Sequence, residues 1–167
     1  IVNVDHGYVH KRKDFQFVDG IFDLVRTSTE AGRKNIIVTN QAGIGRGYYG
    51  EQDFQDLISW VKSEFSRNGG TLHGIYFCPH HPEFGLDEFK LACACRKPMP
   101  GMLLQAIREF DIDPKASSLI GDKISDADAG LNAGIGQNII VSSRLRHPNR
   151  LVEIASNLKE AERMIVF

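Results

Sequence analysis

At 167 residues, 42% of them apolar and 25% charged, the chain has the length and composition of one globular domain with a sizeable core. A net charge of −1 gives no electrostatic case for nucleic acid or an anionic membrane surface as partner, no apolar run is long enough to span a membrane, and no secretory leader is visible. Three cysteines gathered with a histidine are poor disulfide material, so a reducing, cytoplasmic setting is expected; the chain opens Ile1-Val2 without a methionine, which points to a start further upstream.

Asp5-His6-Gly7-Tyr8 is polar and glycine-containing and reads as a loop. Ile21, Leu24 and Val25 recur at helical spacing up to Gly32, which predicts an amphipathic helix with a glycine stop. Asn35 to Asn40 is a short β-branched run, expected as a strand buried on both faces. Residues 41–50 hold four glycines and read as a loop. Phe54, Leu57, Ile58, Val61 and Phe65 form one stripe and predict a helix over 51–68. A second strand, Gly74 to Phe77, delivers Cys78 at its C-terminal end. Further on, a helix over 101–110, a strand over 118–122, a helix over 125–133 capped by Ser125, a strand over 137–142 and a closing helix over 151–162 are expected. Strands alternating with helices imply a parallel sheet covered on both faces, with ligands beyond the C-terminal strand ends. The residues there are Thr39-Asn40, Cys78 and Asp122-Lys123.

The loop over 78–95 contains every cysteine of the chain, as Cys78-x-His80, twelve residues, then Cys93-x-Cys95. Three thiolates and an imidazole suit tetrahedral Zn²⁺, and four protein ligands leave no position for water, so a structural ion is expected. Arg96-Lys97-Pro98 follows the last ligand, which places two cations next to a rigid staple.

Thr39 and Asn40 offer a hydroxyl and an amide at a strand end, followed by Gly43-Ile44-Gly45-Arg46-Gly47, where small residues admit an anion and Arg46 adds charge. Asp122 with Asp126 is a carboxylate pair able to hold a hard cation such as Mg²⁺, and Lys123 would neutralise a phosphate. Each feature alone is equally consistent with a helix cap or a solvated charge. Together they describe a phosphate site that works by positioning and charge neutralisation.

Thr39-Asn40-Gln41-Ala42-Gly43, Arg96-Lys97-Pro98 and Gly121-Asp122-Lys123, in that order, resemble the later motifs of the haloacid dehalogenase (HAD) superfamily phosphatases. Asn3 to Val9 and the zinc loop resemble the heptose 1,7-bisphosphate 7-phosphatases within it; the histidinol-phosphate phosphatases share the loop. The resemblance implies a HAD-like three-layer α/β/α domain over 1–167, and a phosphorylated sugar as substrate. It implies that Thr39 hydrogen-bonds the transferring phosphoryl group, Lys97 stabilises its charge, Arg96 recognises substrate, and Asp122 ligates Mg²⁺ beside Lys123. Asp5, His6, Gly7, Tyr8, Asn40, Gln41 and Ala42 would line the pocket, and Cys78, His80, Cys93 and Cys95 would bind zinc. His10, His73, His81 and His147 match no ligand position.

One departure stands out. The family's Asp-x-Asp, nucleophile and acid/base, belongs at the end of a first strand just ahead of the equivalent of Ile1, and neither the motif nor its strand occurs here. That strand would be central, between those ending at Thr39 and Asp122. Without it two strands would carry rows of unpaired amides and carbonyls, at about 1–3 kcal/mol each. About ten or more further residues ahead of Ile1 are therefore expected, and the chain as written is expected to be inactive. The leading function is hydrolysis of the 7-phosphate of a heptose 1,7-bisphosphate through an aspartyl-phosphate, serving activated-heptose and lipopolysaccharide precursor synthesis. A histidinol-phosphate phosphatase and an inactive, zinc-stapled phosphate-binding module are the alternatives. No lid insertion is evident, which suggests a monomer.

Overall fold

Strands and helices alternate much as the apolar periodicity requires. The computed structural model describes residues 1–165; the last two residues of the expected 1–167 domain lie outside the described residues. In chain order the elements are α1 (Ile21–Glu30), β1 (Asn35–Asn40), α2 (Ala42–Gly45), α3 (Glu51–Arg67), β2 (Leu72–Cys78), α4 (Gly101–Phe110), β3 (Ser118–Gly121), α5 (Ile124–Ala133), β4 (Gln137–Val141), β5 (Val152–Ala155) and α6 (Leu158–Met164). Ahead of α1, residues 2–4 run antiparallel to 16–18, with Val18 N–H donating to Val2 C=O at 3.0 Å and Val4 N–H to Gln16 C=O at 2.8 Å.

All strand pairings are parallel, but they form two half-sheets. β1 pairs with β2, and β3, β4 and β5 pair in that order. One face is covered by α1, α3 and α6, whose Leu24, Leu57, Phe65 and Leu158 pack together against Ile120 and Val141. The other is covered by α4 and α5, through contacts such as Leu103 and Ala133 on Leu119 and Ala127 on Ile140. Alternate residues of β4 serve opposite faces, Ile139 toward α6 and Ile140 toward α5, both fully buried. This is the expected three-layer α/β/α arrangement.

Between the half-sheets lies a cavity of about 1080 Å³, lined by Ile36, Val38, Leu119 and Ile120 among others. It has a direct consequence for β1. Every residue of that strand is only half-buried, not buried on both faces as expected, because one edge and part of each face border the cavity. Among the described residues no strand lies between β1 and β3.

Three local expectations are corrected. The closing segment is a strand and a helix, β5 and α6, rather than one helix over 151–162. Val152-Glu153-Ile154-Ala155 satisfies its backbone on β4, and the Asn157 side chain then caps α6 by accepting Glu160 N–H at 2.9 Å. Residues 41–50 contain the single turn α2. Helix α5 starts at Ile124, so Ser125 is not its cap.

Candidate active site

The strand ends converge as the parallel topology demands, and Lys97 is their centre. Asn40, at the tip of β1, holds the Lys97 backbone at two points: its Oδ1 accepts Lys97 N–H at 3.0 Å, and its Nδ2 donates to Lys97 C=O at 3.2 Å. The ammonium donates to Val38 C=O at 2.8 Å and pairs with Asp126 Oδ1 at 2.6 Å, with both side chains largely buried. The other Asp126 oxygen accepts the N–H groups of Asp122 and Lys123 at 3.1 and 3.0 Å. One carboxylate thus joins the start of α5 to a lysine from the far side of the cavity. Gly121 makes this possible, since a Cβ there would lie 2.6 Å from Asp126 Oδ2. Asp126 is therefore fully engaged and does not form the cation-holding pair with Asp122 that its spacing suggested. Asp122, just past the end of β3, keeps a part-exposed carboxylate facing the cavity.

A second chain of contacts orients Thr39. The Tyr49 hydroxyl donates to Gln41 Oε1, and Gln41 Nε2 donates to Thr39 Oγ1 at 3.2 Å. Thr39 then has its own proton free to donate to an anion. Burial, followed by the proximity of Tyr8, pushes the Tyr49 phenol up to about 12, so it remains a donor. Opposite, Lys123 Nζ pairs with Asp5 Oδ2 at 3.0 Å, while Asp5 Oδ1 accepts Gly7 N–H at 3.0 Å. The Lys123 hydrogen bond, followed by that of Gly7, holds the Asp5 carboxyl below its ordinary value, and the Asp5 partnership in turn raises the Lys123 ammonium. Tyr8 follows in the left-handed region at φ +50°, an uncommon conformation for a non-glycine residue that aims its ring across the pocket.

The four expected metal ligands form one cluster, with their ligating atoms within 4.8 Å of one another. Cys78, fully buried at the end of β2, lies 2.9 Å from Cys95 Sγ and 3.4 Å from Cys93 Sγ, and His80 Nδ1 lies 3.3 Å from Cys95 Sγ. Metal–sulfur bonds of about 2.3 Å imply tetrahedral edges of about 3.8 Å, so the set fits an ion after an opening of under about 1 Å. Burial, then hydrogen bonds from Cys95 and Cys93, push the Cys78 thiol up. The cluster reaches the site through Arg96, whose guanidinium donates to His80 C=O at 3.1 Å.

Asp5, Gly7, Tyr8, Thr39, Asn40, Gln41, Ala42, Arg96, Lys97, Asp122 and Lys123 all border the cavity between the half-sheets. His6 does not; it is exposed on a separate, shallower depression. Two further residues were not anticipated as site groups, Tyr49 behind Gln41 and His81 on the cavity wall, while Asp126 takes a different role from the one expected, under Lys97, and Arg46 borders the cavity as expected of a cation near an anion. His81 Nδ1 accepts the N–H groups of Glu83 and Phe84 at 3.2 and 3.1 Å, and burial, then the charges of Arg96 and Arg46, hold its imidazole below the usual range. Arg46 carried a signal in the sequence as the single cation of a glycine-rich turn, and Asp126 by its spacing from Asp122; Tyr49 and His81 carried none.

A parallel sheet that gathers a pinned ammonium, a directed hydroxyl and an open carboxylate at its C-terminal edge has the architecture of a phosphohydrolase of the HAD type. A HAD-hydrolase-like family model matches residues 94–160. The chain is 51% identical over 140 residues to the D-glycero-β-D-manno-heptose-1,7-bisphosphate 7-phosphatase of Yersinia pestis, an alignment covering 84% of this chain and 74% of that protein. It is 48% identical over 144 residues to the corresponding α-anomer enzyme of Burkholderia mallei, covering 86% and 76%. The fold matches that of a D,D-heptose 1,7-bisphosphate phosphatase from B. bronchiseptica, solved with magnesium and phosphate, at a TM-score of 0.85 and 24% identity over 98% of this chain and 92% of that one. The chain belongs to the D-glycero-D-manno-heptose-1,7-bisphosphate 7-phosphatase family of HAD-like hydrolases.

Proposed function

We propose that this protein is a Mg²⁺-dependent phosphomonoesterase that removes the 7-phosphate of D-glycero-D-manno-heptose 1,7-bisphosphate. The observation that carries the reading is the convergence of Lys97, Thr39 and Asp122 on one cavity at the strand ends. The names of its relatives favour a heptose bisphosphate over histidinol phosphate.

Lys97 neutralises charge on the transferring phosphoryl group from a position fixed by Val38, Asn40 and Asp126. Because the ammonium is already desolvated and aimed, little reorganisation accompanies reaction. Thr39 donates its free proton to a phosphoryl oxygen. Asp122 would hold the magnesium ion, which would supply charge neutralisation to the phosphate. Lys123, tethered to Asp5, lies beside it. The attacking and proton-transferring carboxylates come from an additional strand seated between β1 and β3, where the cavity borders two unpaired strand edges. Zinc, bound by Cys78, His80, Cys93 and Cys95, is structural and braces Arg96 through His80. The protein works as a single-domain monomer in the cytoplasm, without nucleic acid or membrane partner, in activated-heptose and lipopolysaccharide precursor synthesis; no helix among the described residues is long and apolar enough to cross a membrane.

The test is turnover of the heptose bisphosphate against histidinol phosphate by the strand-complete enzyme. The bisphosphate should be preferred, and Lys97→Ala should depress kcat far more than it raises KM, since the charge matters most in the transition state. Preference for histidinol phosphate, or a pure KM effect, would contradict the assignment.

A further inference from the structure

The phenol of Tyr49 sits where the ring of a phenylalanine would pack as well. It is buried with Ile44 and Phe54, and Phe77 and Phe89 close the same apolar cluster. The His10 ring lies parallel on it, with centroids 4.7 Å and planes 7° apart. Gly43 makes room for it, since a Cβ there would overlap the ring and lie 2.9 Å from the hydroxyl oxygen. A hydroxyl carried into such surroundings needs a partner, or its lost hydration goes uncompensated. Among the described residues that partner is the Gln41 side chain.

The partnership fixes the direction of each proton in the chain that leads to Thr39. The Tyr49 proton has Gln41 Oε1 as its acceptor. The amide is thereby held with Nε2 toward Thr39, 3.2 Å from Oγ1, and an amide NH₂ can only donate. Thr39 Oγ1 accepts, so its own proton is left for a group in the cavity. Reversal of the amide would put Oε1 on Thr39 and consume that proton. It would also strand the buried phenol proton without an acceptor, which opposes the reversal. The Gln41 backbone is anchored separately: its N–H donates to Cys78 C=O at 2.7 Å, and its C=O accepts Ile44 N–H at 3.1 Å. Only the end of the side chain has two choices, and the Tyr49 hydroxyl decides between them.

We propose that Tyr49 is a positioning residue for phosphoryl transfer: through Gln41 it sets the polarity of the relay, so that Thr39 meets the transferring phosphoryl group as a donor. The inference rests on the phosphatase reading above and concerns the group that reacts, not the rest of the substrate. Tyr49 acts through Gln41 and Thr39 rather than on the phosphate itself.

The test is Tyr49→Phe in the strand-complete, metal-loaded enzyme, with heptose 1,7-bisphosphate and with p-nitrophenyl phosphate. The substitution removes one oxygen and keeps the ring, so Tm should fall by no more than about 4 °C, the scale of one hydrogen bond. On both substrates kcat should fall by about tenfold, with KM within about threefold. Outright removal of a donor to the reacting group costs about 10²–10³, and here the donor is only misdirected part of the time. Thr39→Val should therefore cost more. Tyr49→Phe added to Thr39→Val should cost nothing further, since the hydroxyl it directs is gone. Calorimetric binding of inorganic phosphate should show the same non-additivity. A loss that adds in full to that of Thr39→Val, a loss that tracks a large fall in Tm, or an unchanged kcat would overturn the proposal. Wild-type enzyme that turns over neither phosphate ester would instead refute the phosphatase reading, independently of Tyr49.

Discussion

Replacing Asp126 with Asn tests whether the site is organised around the Lys97 ammonium. The change is nearly isosteric, so packing is preserved and only charge and donor pattern differ. In the native protein one oxygen of Asp126 takes Lys97 Nζ at 2.6 Å, and the other takes the N–H groups of Asp122 and Lys123. An amide cannot serve both sides: if its oxygen stays on the two backbone donors, its NH₂ points at an ammonium. The side chains of Lys97 and Asp126 are only 13% and 9% exposed, so solvent offers Lys97 little relief. Removing one partner of a buried pair costs about 3–5 kcal/mol. Retention of both backbone hydrogen bonds puts the expected loss near the lower end, about 3 kcal/mol. At about 2–4 °C per kcal/mol for a domain of this size, Tm should fall by about 6–12 °C. Thermal unfolding followed by circular dichroism, with and without inorganic phosphate, measures this directly. The stabilisation by phosphate should shrink as well, because the displaced ammonium no longer faces the anion. Gly121→Ala should act in the same direction, since the added methyl would push the same carboxylate away. A shift of under about 2 °C with phosphate stabilisation intact would refute the argument that Asp126 holds Lys97 in place.

Two other outcomes follow from the same geometry. Cys93→Ser, or removal of the metal by a chelator, should lower Tm and make the segment around Arg96 more protease-sensitive, because His80, which accepts from Arg96, is a ligand of the same cluster; unchanged melting and metal content would contradict a structural ion. Asp5 should titrate below its ordinary 3.8, as seen by carboxyl NMR, and return toward that value in Lys123→Ala. Its folded-state value is depressed, so the stability it contributes is present above the unfolded value and is lost as pH falls through the folded one; wild type and Asp5→Asn should therefore begin to approach each other in stability as pH drops past 3.8 and converge only below the depressed folded value.

Much of the framework was legible from local pattern. The helical stripe from Phe54 to Phe65 and the β-branched run at 35–40 appear where expected, because burial of one face imposes a period that neighbouring residues alone display. The end of the chain was misread for the same reason. Val152 to Ala155 is too short to reveal a period, and what makes it a strand is the open edge of β4, not its own composition. The ligand set was equally plain, since two close pairs of soft donors on one loop need only a single turn each to meet at one ion.

The sequence by itself determined the alternation of elements, the cysteine loop, and the residue types offered at the strand ends, since each is a property of a few adjacent positions. Only the tertiary structure decided which of them act together. It placed Asp126 under Lys97, Tyr49 behind Gln41, and Arg46 between Tyr8 and Phe84. The reason is physical. A carboxylate spaced like a metal ligand and one spaced like a lysine's partner look alike along the chain, and they differ only in which desolvated charge the packed fold brings within about 3 Å.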